Sequence, residues 1–229
     1  FPTRRSSDLL LKALESITGT GVFCATGAAP FFMPELVVEG VGELAFPLSA
    51  PQIRDLIRSA EAAPYGKGLR TVRDDKVRKC WQIDAAKLSF NAPEWKSYLQ
   101  RTVDAAAAEL GVGDKVSSEL YKLLIYEKGG HFLPHRDTEK LEAMFGTLII
   151  ALPSAHEGGR LLVRHGGVEV AVDFSGRDGL RQFQSAALFA DCEHEVEKVT
   201  SGVRCCLVYN LVLKKGNPAE LNRPLSAHT

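Results

Sequence analysis

The amino-acid sequence predicts a mainly β protein, a barrel or jelly roll with helices packed on one sheet. Three observations predict it. From Ser118 onward, short apolar runs recur at regular intervals and are separated by Gly-containing turns, the pattern of several strands closing on themselves. Two earlier segments carry apolar residues at helical spacing, and such helices would cover one face of a sheet. The chain has 229 residues, 45% of them hydrophobic, which leaves room for one sizeable core.

The elements follow in order. Residues 1–9 resemble a translated sequencing adapter and are set aside. With no initiator Met and a truncated tail over 216–229, the chain is expected to be a fragment. Within an N-terminal segment over 10–35, residues 10–17 read as a short helix and the Gly/Ala/Thr-rich 18–29 as loop. One domain is expected over 36–215, its core over 118–213. Residues 36–48 alternate and read as a strand pair around a Gly turn. Ser49 is the natural N-cap of a helix with Pro51 in its first turn and Ile53, Leu56, Ile57 and Ala60 at helical spacing. Residues 72–83 give short strands around Arg78, Cys80 and Gln82. Asn91 or Pro93 then opens a second helix that Gly111 stops. Strands are expected over 119–126, 145–152, 159–164, 168–173, 186–191, 193–199 and 202–213.

Charge and cysteine usage exclude some classes. Twenty-eight basic and 28 acidic residues give a net charge of +0. That lends no support to nucleic acid as a partner, although a local basic groove stays open. No apolar run approaches ~20 residues, so no membrane partner is expected. The five cysteines are odd in number and include no C-x-x-C, which argues against a disulfide framework or a zinc ribbon. Cys205 and Cys206 read as small buried hydrophobes, and a reducing, cytoplasmic setting is expected.

Three features carry chemistry. His135 and Asp137 stand two residues apart on an extended segment, so both side chains project to one side. His194 follows in a later strand-like segment, and Arg204 comes ten positions after it. Two histidines and a carboxylate form the facial triad of non-haem Fe(II) oxygenases. Three protein ligands leave three positions free on octahedral iron, two for a bidentate 2-oxo acid and one for O2. Residues 196–199 and 203–213 read as a hairpin around Thr200-Ser201-Gly202 that brings Arg204 near the metal ligand. Its flanks are apolar on both faces, so Arg204 is expected to be buried and to need an anionic partner. A distal carboxylate gripped by the guanidinium supplies one.

The segment Leu124-Ile-Tyr126-Glu-Lys-Gly-Gly-His-Phe-Leu-Pro-His135-Arg-Asp137 resembles the approach to the metal site in prolyl 4-hydroxylase-like members of the Fe(II)/2-oxoglutarate-dependent dioxygenase superfamily. Glu157-Gly158-Gly159-Arg-Leu-Leu-Val and the His194–Arg204 spacing are similar to that family too. The resemblance covers about residues 121–213. It implies a double-stranded β-helix, the cupin-like jelly roll. It also implies iron held by His135, Asp137 and His194 as catalytic and metal residues, with 2-oxoglutarate bound by Arg204, Tyr126 and Thr147. The implied activity converts 2-oxoglutarate and O2 to succinate and CO2 while hydroxylating a substrate, with ascorbate as an auxiliary reductant. A protein side chain is the expected primary substrate. Only residues 138–144 separate Asp137 from the next apolar strand, and no loops like those that recognise procollagen-like peptides are identifiable.

Two rival readings remain open. One is a non-catalytic jelly-roll binding module with a vestigial or structural metal site. The other is a Zn or Mn isomerase, which leaves Arg204 without a job. Either histidine alone reads as an ordinary hydrogen-bonded histidine. His131 reads as pocket wall or surface, while His156, His165 and His228 read as loop or tail residues. Asp191 and Glu193 read either as partners of the metal ligands or as surface carboxylates. Trp81 and Trp95 read as core.

Overall fold

The computed structural model describes residues 22–67, 70–113, 115–137, 141–176 and 178–214. The expected helix over 10–17, His228, and the readings of 1–9 and 216–229 lie outside the described residues. The chain begins with β1 (Cys24–Pro30), β2 (Leu36–Val38) and β3 (Gly42–Glu43). Helix α1 (Ala50–Ser59) starts as its sequence predicts. The Ser49 side chain accepts from the Gln52 amide, Gln52 reaches back to complete a capping box, and Pro51 occupies the first turn. Short strands follow: β4 (Glu61–Ala62), β5 (Tyr65–Lys67), β6 (Arg70–Val72), β7 (Arg78–Lys79), β8 (Trp81–Asp84) and β9 (Leu88–Phe90). Helix α2 (Pro93–Glu109) opens on Pro93 and ends just before Gly111. The β-rich half comprises β10 (Val116–Tyr126), β11 (His131–His135), β12 (Met144–Leu152), β13 (His156–Gly158) and β14 (Leu161–His165). It finishes with β15 (Val168–Val172), β16 (Gln182–Phe189), β17 (Glu193–Val196), β18 (Val199–Gly202) and β19 (Arg204–Leu213).

These strands form an antiparallel jelly roll. A large sheet runs β1-β16-β12-β19-β10-β8-β4, and a smaller one runs β15-β14-β17-β11-β7. One contiguous core joins them, with Leu148, Ile150 and Leu207 from the large sheet and Leu161, Val163 and Val196 from the small one. Helix α2 lies on the large sheet against β1, β10 and β16. Its Trp95 stacks on Phe90 with ring centroids 4.4 Å apart, and Trp95 and Tyr98 both pack against Phe183. Each such aromatic contributes roughly 2–3 kcal/mol by leaving water. β12 is buried along its whole length, as a strand covered on both faces must be.

Two expectations are corrected. The segment 18–29 was expected to be loop, yet from Cys24 onward it is strand, paired with β16 from Cys24↔Leu188 to Pro30↔Gln182. Its small residues answer crowding rather than a turn: a Cβ on Gly27 would stand 2.9 Å from Ser185 Oγ, and α2 packs against the same strand. The hairpin expected around Thr200-Ser201-Gly202 does not form. β18 pairs with β13, and β19 enters the large sheet between β10 and β12. An apolar run such as Cys205–Tyr209 needs cover on both faces, which a central strand has and an edge hairpin lacks.

Candidate metal centre and co-substrate cavity

The register of the small sheet builds the centre. β11 and β17 run antiparallel with His135 directly opposite His194, and their ring centroids lie 4.2 Å apart. An irregular register between Phe132 and His135 absorbs Pro134, which has no amide proton to offer a regular ladder. Asp137 lies two residues beyond, its amide donating to Ala190 O at 3.0 Å. One ligand atom from each of His135, Asp137 and His194 falls within 4.8 Å of the others.

Neighbouring groups orient these side chains. His135 Nδ1 donates to Leu133 O at 2.9 Å, and His194 Nδ1 donates to Cys192 O at 3.1 Å. With a carbonyl acceptor at each Nδ1, the Nε2 lone pairs are left for a metal. Burial, and then the neighbouring His194, push His135 down to about 3, so it stands neutral and ready to coordinate. Thr147 Oγ1 donates to Asp137 Oδ2 at 2.6 Å. The geometry therefore ties Thr147 to the carboxylate ligand.

Tyr126 and Arg204 are direct cross-strand partners on β10 and β19. The Arg204 guanidinium carbon lies 5.3 Å from the Tyr126 ring centroid and 5.4 Å from that of Phe174. Arg204 is only 1% exposed. Its Nη1 donates to Cys206 Sγ at 3.4 Å, while Nε and Nη2 are buried with no partner. A buried guanidinium with two idle donors is costly unless an anion meets it. Gly159 makes room for it: a Cβ there would stand 2.8 Å from Val199 Cγ2 and 3.2 Å from Arg204 Cδ.

The triad, Tyr126, Thr147 and Arg204 all face one cavity of about 440 Å³. Two imidazoles and a carboxylate, with coordination positions left over, fit Fe(II). The idle donors of Arg204 fit the distal carboxylate of a 2-oxo acid. The residues present thus suit both groups.

The cavity also holds a residue that the sequence reading left as an ordinary strand residue. Arg78 on β7 lies 4.4 Å over the Phe132 ring, which is stacked on His135 at 3.4 Å between centroids. Its Nη1 donates to Pro64 O at 2.8 Å, and its Nε is buried without a partner. The available signal was a cation alternating with Cys80 and Gln82 in a strand pattern.

Other histidines have structural settings. His131 bridges Gly129 O and Lys76 O at 3.1 Å each, and His165 is exposed at the end of β14. His156, expected in a loop, is instead a buried residue of β13 whose Nδ1 donates to Ser154 O at 2.9 Å. Backbone pairing with Gly202 carries it inward. Glu193 faces Arg164 at 3.8 Å and Asp191 is exposed, the surface alternative of the two readings. Trp95 is core, and the half-buried Trp81 donates to Glu127 Oε2 at 2.6 Å. All five cysteines are buried and free. No described helix is long and apolar enough to cross a membrane.

Comparison with known proteins places these observations in context. Residues 121–212 match the family model described as the 2OG-Fe(II) oxygenase superfamily. In structure the chain is similar to a prolyl-4-hydroxylase of Pseudomonas putida, with a TM-score of 0.50, 15% identity, and coverage of 90% of this chain and 100% of that one. It is likewise similar to a Trichoplax adhaerens prolyl hydroxylase solved with a hypoxia inducible factor oxygen degradation domain peptide fragment. There the TM-score is 0.50 and the identity 14%, with 91% of each chain covered. At such identities the likeness is one of fold. No curated protein matches the sequence.

Proposed function

We propose that the chain, whose residues 121–212 match the model of the 2OG-Fe(II) oxygenase superfamily, a family of oxidoreductases, is an Fe(II)- and 2-oxoglutarate-dependent dioxygenase that hydroxylates a protein side chain. The observation that carries the reading is the pairing of functions in one cavity. A His135–Asp137–His194 cluster suited to iron shares it with a buried arginine whose Nε and Nη2 lack partners. In this reading His135, Asp137 and His194 hold the iron. Arg204 and Tyr126 receive the distal carboxylate of 2-oxoglutarate. Thr147 acts through Asp137, fixing the carboxylate oxygen that its hydroxyl contacts. When bound, the iron and oxo acid supply an oxidant for a substrate C–H bond, with succinate and CO2 as co-products and ascorbate keeping the metal ferrous.

The chain's own residues do the positioning. The carbonyls of Leu133 and Cys192 keep both imidazoles in the ligating tautomer. Strands β10, β12 and β19 wall one side of the cavity. A peptide is favoured as substrate because the Trichoplax enzyme of the same fold was solved with one. The five buried free cysteines support a reducing, cytoplasmic setting.

The deciding experiment is anaerobic titration with Fe(II), with and without 2-oxoglutarate, read by the visible metal-to-ligand charge-transfer band. The band is expected in the wild-type protein and should be lost in His194→Ala. Its absence from a folded, iron-loaded protein would move the binding-module reading to first place.

A further inference from the structure

The charge of the whole chain is balanced, but the charge of the cavity is not. Among its described lining residues are four cations, Arg78, Lys122, Arg136 and Arg204, and a single carboxylate, Asp137. The charges of iron and 2-oxoglutarate cancel each other when both are bound. Asp137 then balances Arg204. Arg78 and Arg136 add positive charge beyond that balance, Arg78 in a partly enclosed space where unbalanced charge is expensive.

Lys122 is engaged, its Nζ donating to Gln82 Oε1 at 2.5 Å. Arg78 has no anionic partner among the described residues. Arg78 has only neutral neighbours, namely Pro64 O, Tyr126 and Cys80. Burial pushes Cys80 up to about 11 and raises Tyr126 as well, so neither offers it an anion. Arg136 sits between two metal ligands in sequence, is exposed, and lines the same cavity. A planar guanidinium with an idle donor suits a carboxylate.

We propose that the primary substrate is anchored through a carboxylate that Arg78 and Arg136 receive beside the metal centre. This rests on the oxygenase reading and deepens it by naming the substrate's charge. The carboxylate belongs either to an acidic residue of a peptide or to a free organic acid, and the same arginines would serve both. A nucleic-acid phosphate is disfavoured by the exterior. Arginines on the outside of the small sheet are already paired, Arg160 with Glu197 and Arg164 with Glu169 and Glu195. The net charge of +0 gives flanking phosphates no basic track.

The test is calorimetric titration of the full chain, held anaerobically with Fe(II) and saturating 2-oxoglutarate. Four probes are used: N-acetylated, C-amidated Gly-Glu-Glu-Gly, its Gly-Gln-Gln-Gly counterpart, N-acetylglutamate, and a single-stranded DNA hexamer. The Glu peptide is expected to bind about tenfold or more tighter than the Gln peptide, as one charge-assisted contact implies. That preference should vanish in Arg136→Gln, a substitution at an exposed position, and should weaken in Arg78→Lys, which keeps the charge without the fork. Binding of N-acetylglutamate as tight as that of the Glu peptide would assign the carboxylate to a free acid. Equal binding of the two peptides, binding of neither peptide nor acid, or tightest binding of the DNA would each overturn the proposal. The charge-transfer band, recorded on the same samples, separates the two levels. If the band is present and the preference absent, only the carboxylate proposal falls. If the band is absent, the oxygenase reading falls and takes the proposal with it.

Discussion

Replacing Thr147 with valine removes one hydroxyl and leaves the side-chain shape nearly intact. Thr147 is 4% exposed, and its Oγ1 donates to Asp137 Oδ2 at 2.6 Å. A hydrogen bond to a charged group stabilises by about 1.5–3 kcal/mol. In the proposed reading it orients a metal ligand, so its loss should appear mainly in metal affinity. That energy corresponds to about a 10- to 150-fold rise in the Fe(II) dissociation constant, in keeping with the effect of groups that orient metal ligands. Thermal unfolding of the metal-free protein should change little, because a methyl replaces the hydroxyl in a strand that is otherwise apolar. The assay is anaerobic competition for Fe(II) against a coloured chelator, with Thr147→Ser as the variant that restores the donor. A dissociation constant within about threefold of wild type in Thr147→Val would refute the reasoning. A rise confined to the 2-oxoglutarate requirement would return Thr147 to the oxo-acid pocket that the family resemblance implied.

Three further outcomes are expected. Arg204→Ala should weaken 2-oxoglutarate binding by about 30-fold or more, the loss of one partner of a buried charge pair. Titration of the charge-transfer band measures it, and an unchanged midpoint would remove Arg204 from its role. Gly159→Ala, at φ 69 and with Val199 Cγ2 2.8 Å from the new methyl, should cost about 2–4 kcal/mol from backbone strain and overpacking; urea unfolding showing under about 1 kcal/mol would contradict the crowding argument. The metal-free protein should also lose stability in acid. His135 titrates near 3 when folded, below its ordinary value of 6.5, so the unfolded chain binds the extra proton between those values. The stability held above about pH 6.5 then drains as pH falls toward 3. His135→Gln should flatten that slope in urea titrations across this window, and an equally steep slope in the variant would assign it elsewhere.

Much of the architecture was legible because it repeats short-range rules. The Ser49 cap, Pro51 and the Gly111 stop each act within a turn, and α1 and α2 lie where those residues put them. The triad was legible for a similar reason: His135 and Asp137 are local to each other, and the cluster adds one distant histidine. What escaped was decided by tertiary neighbours. The small residues of β1 read as loop until Ser185 and α2 supply the crowding that requires them. The crossing from β18 to β19 escaped because a Gly turn signals a reversal without naming the sheet that the chain enters next. Arg78 escaped because its strand has only two residues, and its alternation with Cys80 and Gln82 does not say which face meets a cavity.

The pairing of His135 with His194 has a consequence for the protein's lifetime in a cell. The two candidate ligands come from β11 and β17, with five other strands, β12 to β16, lying between them in sequence. An unfolded chain does not hold them at ligating distance, so in the proposed reading iron would bind the folded form alone. At a free-iron level a hundredfold above the dissociation constant, such selective binding adds about 2.7 kcal/mol to folding. A chain made during iron scarcity would forgo that margin and meet proteases more often in its open form. Its abundance would then track iron supply even with transcription held constant.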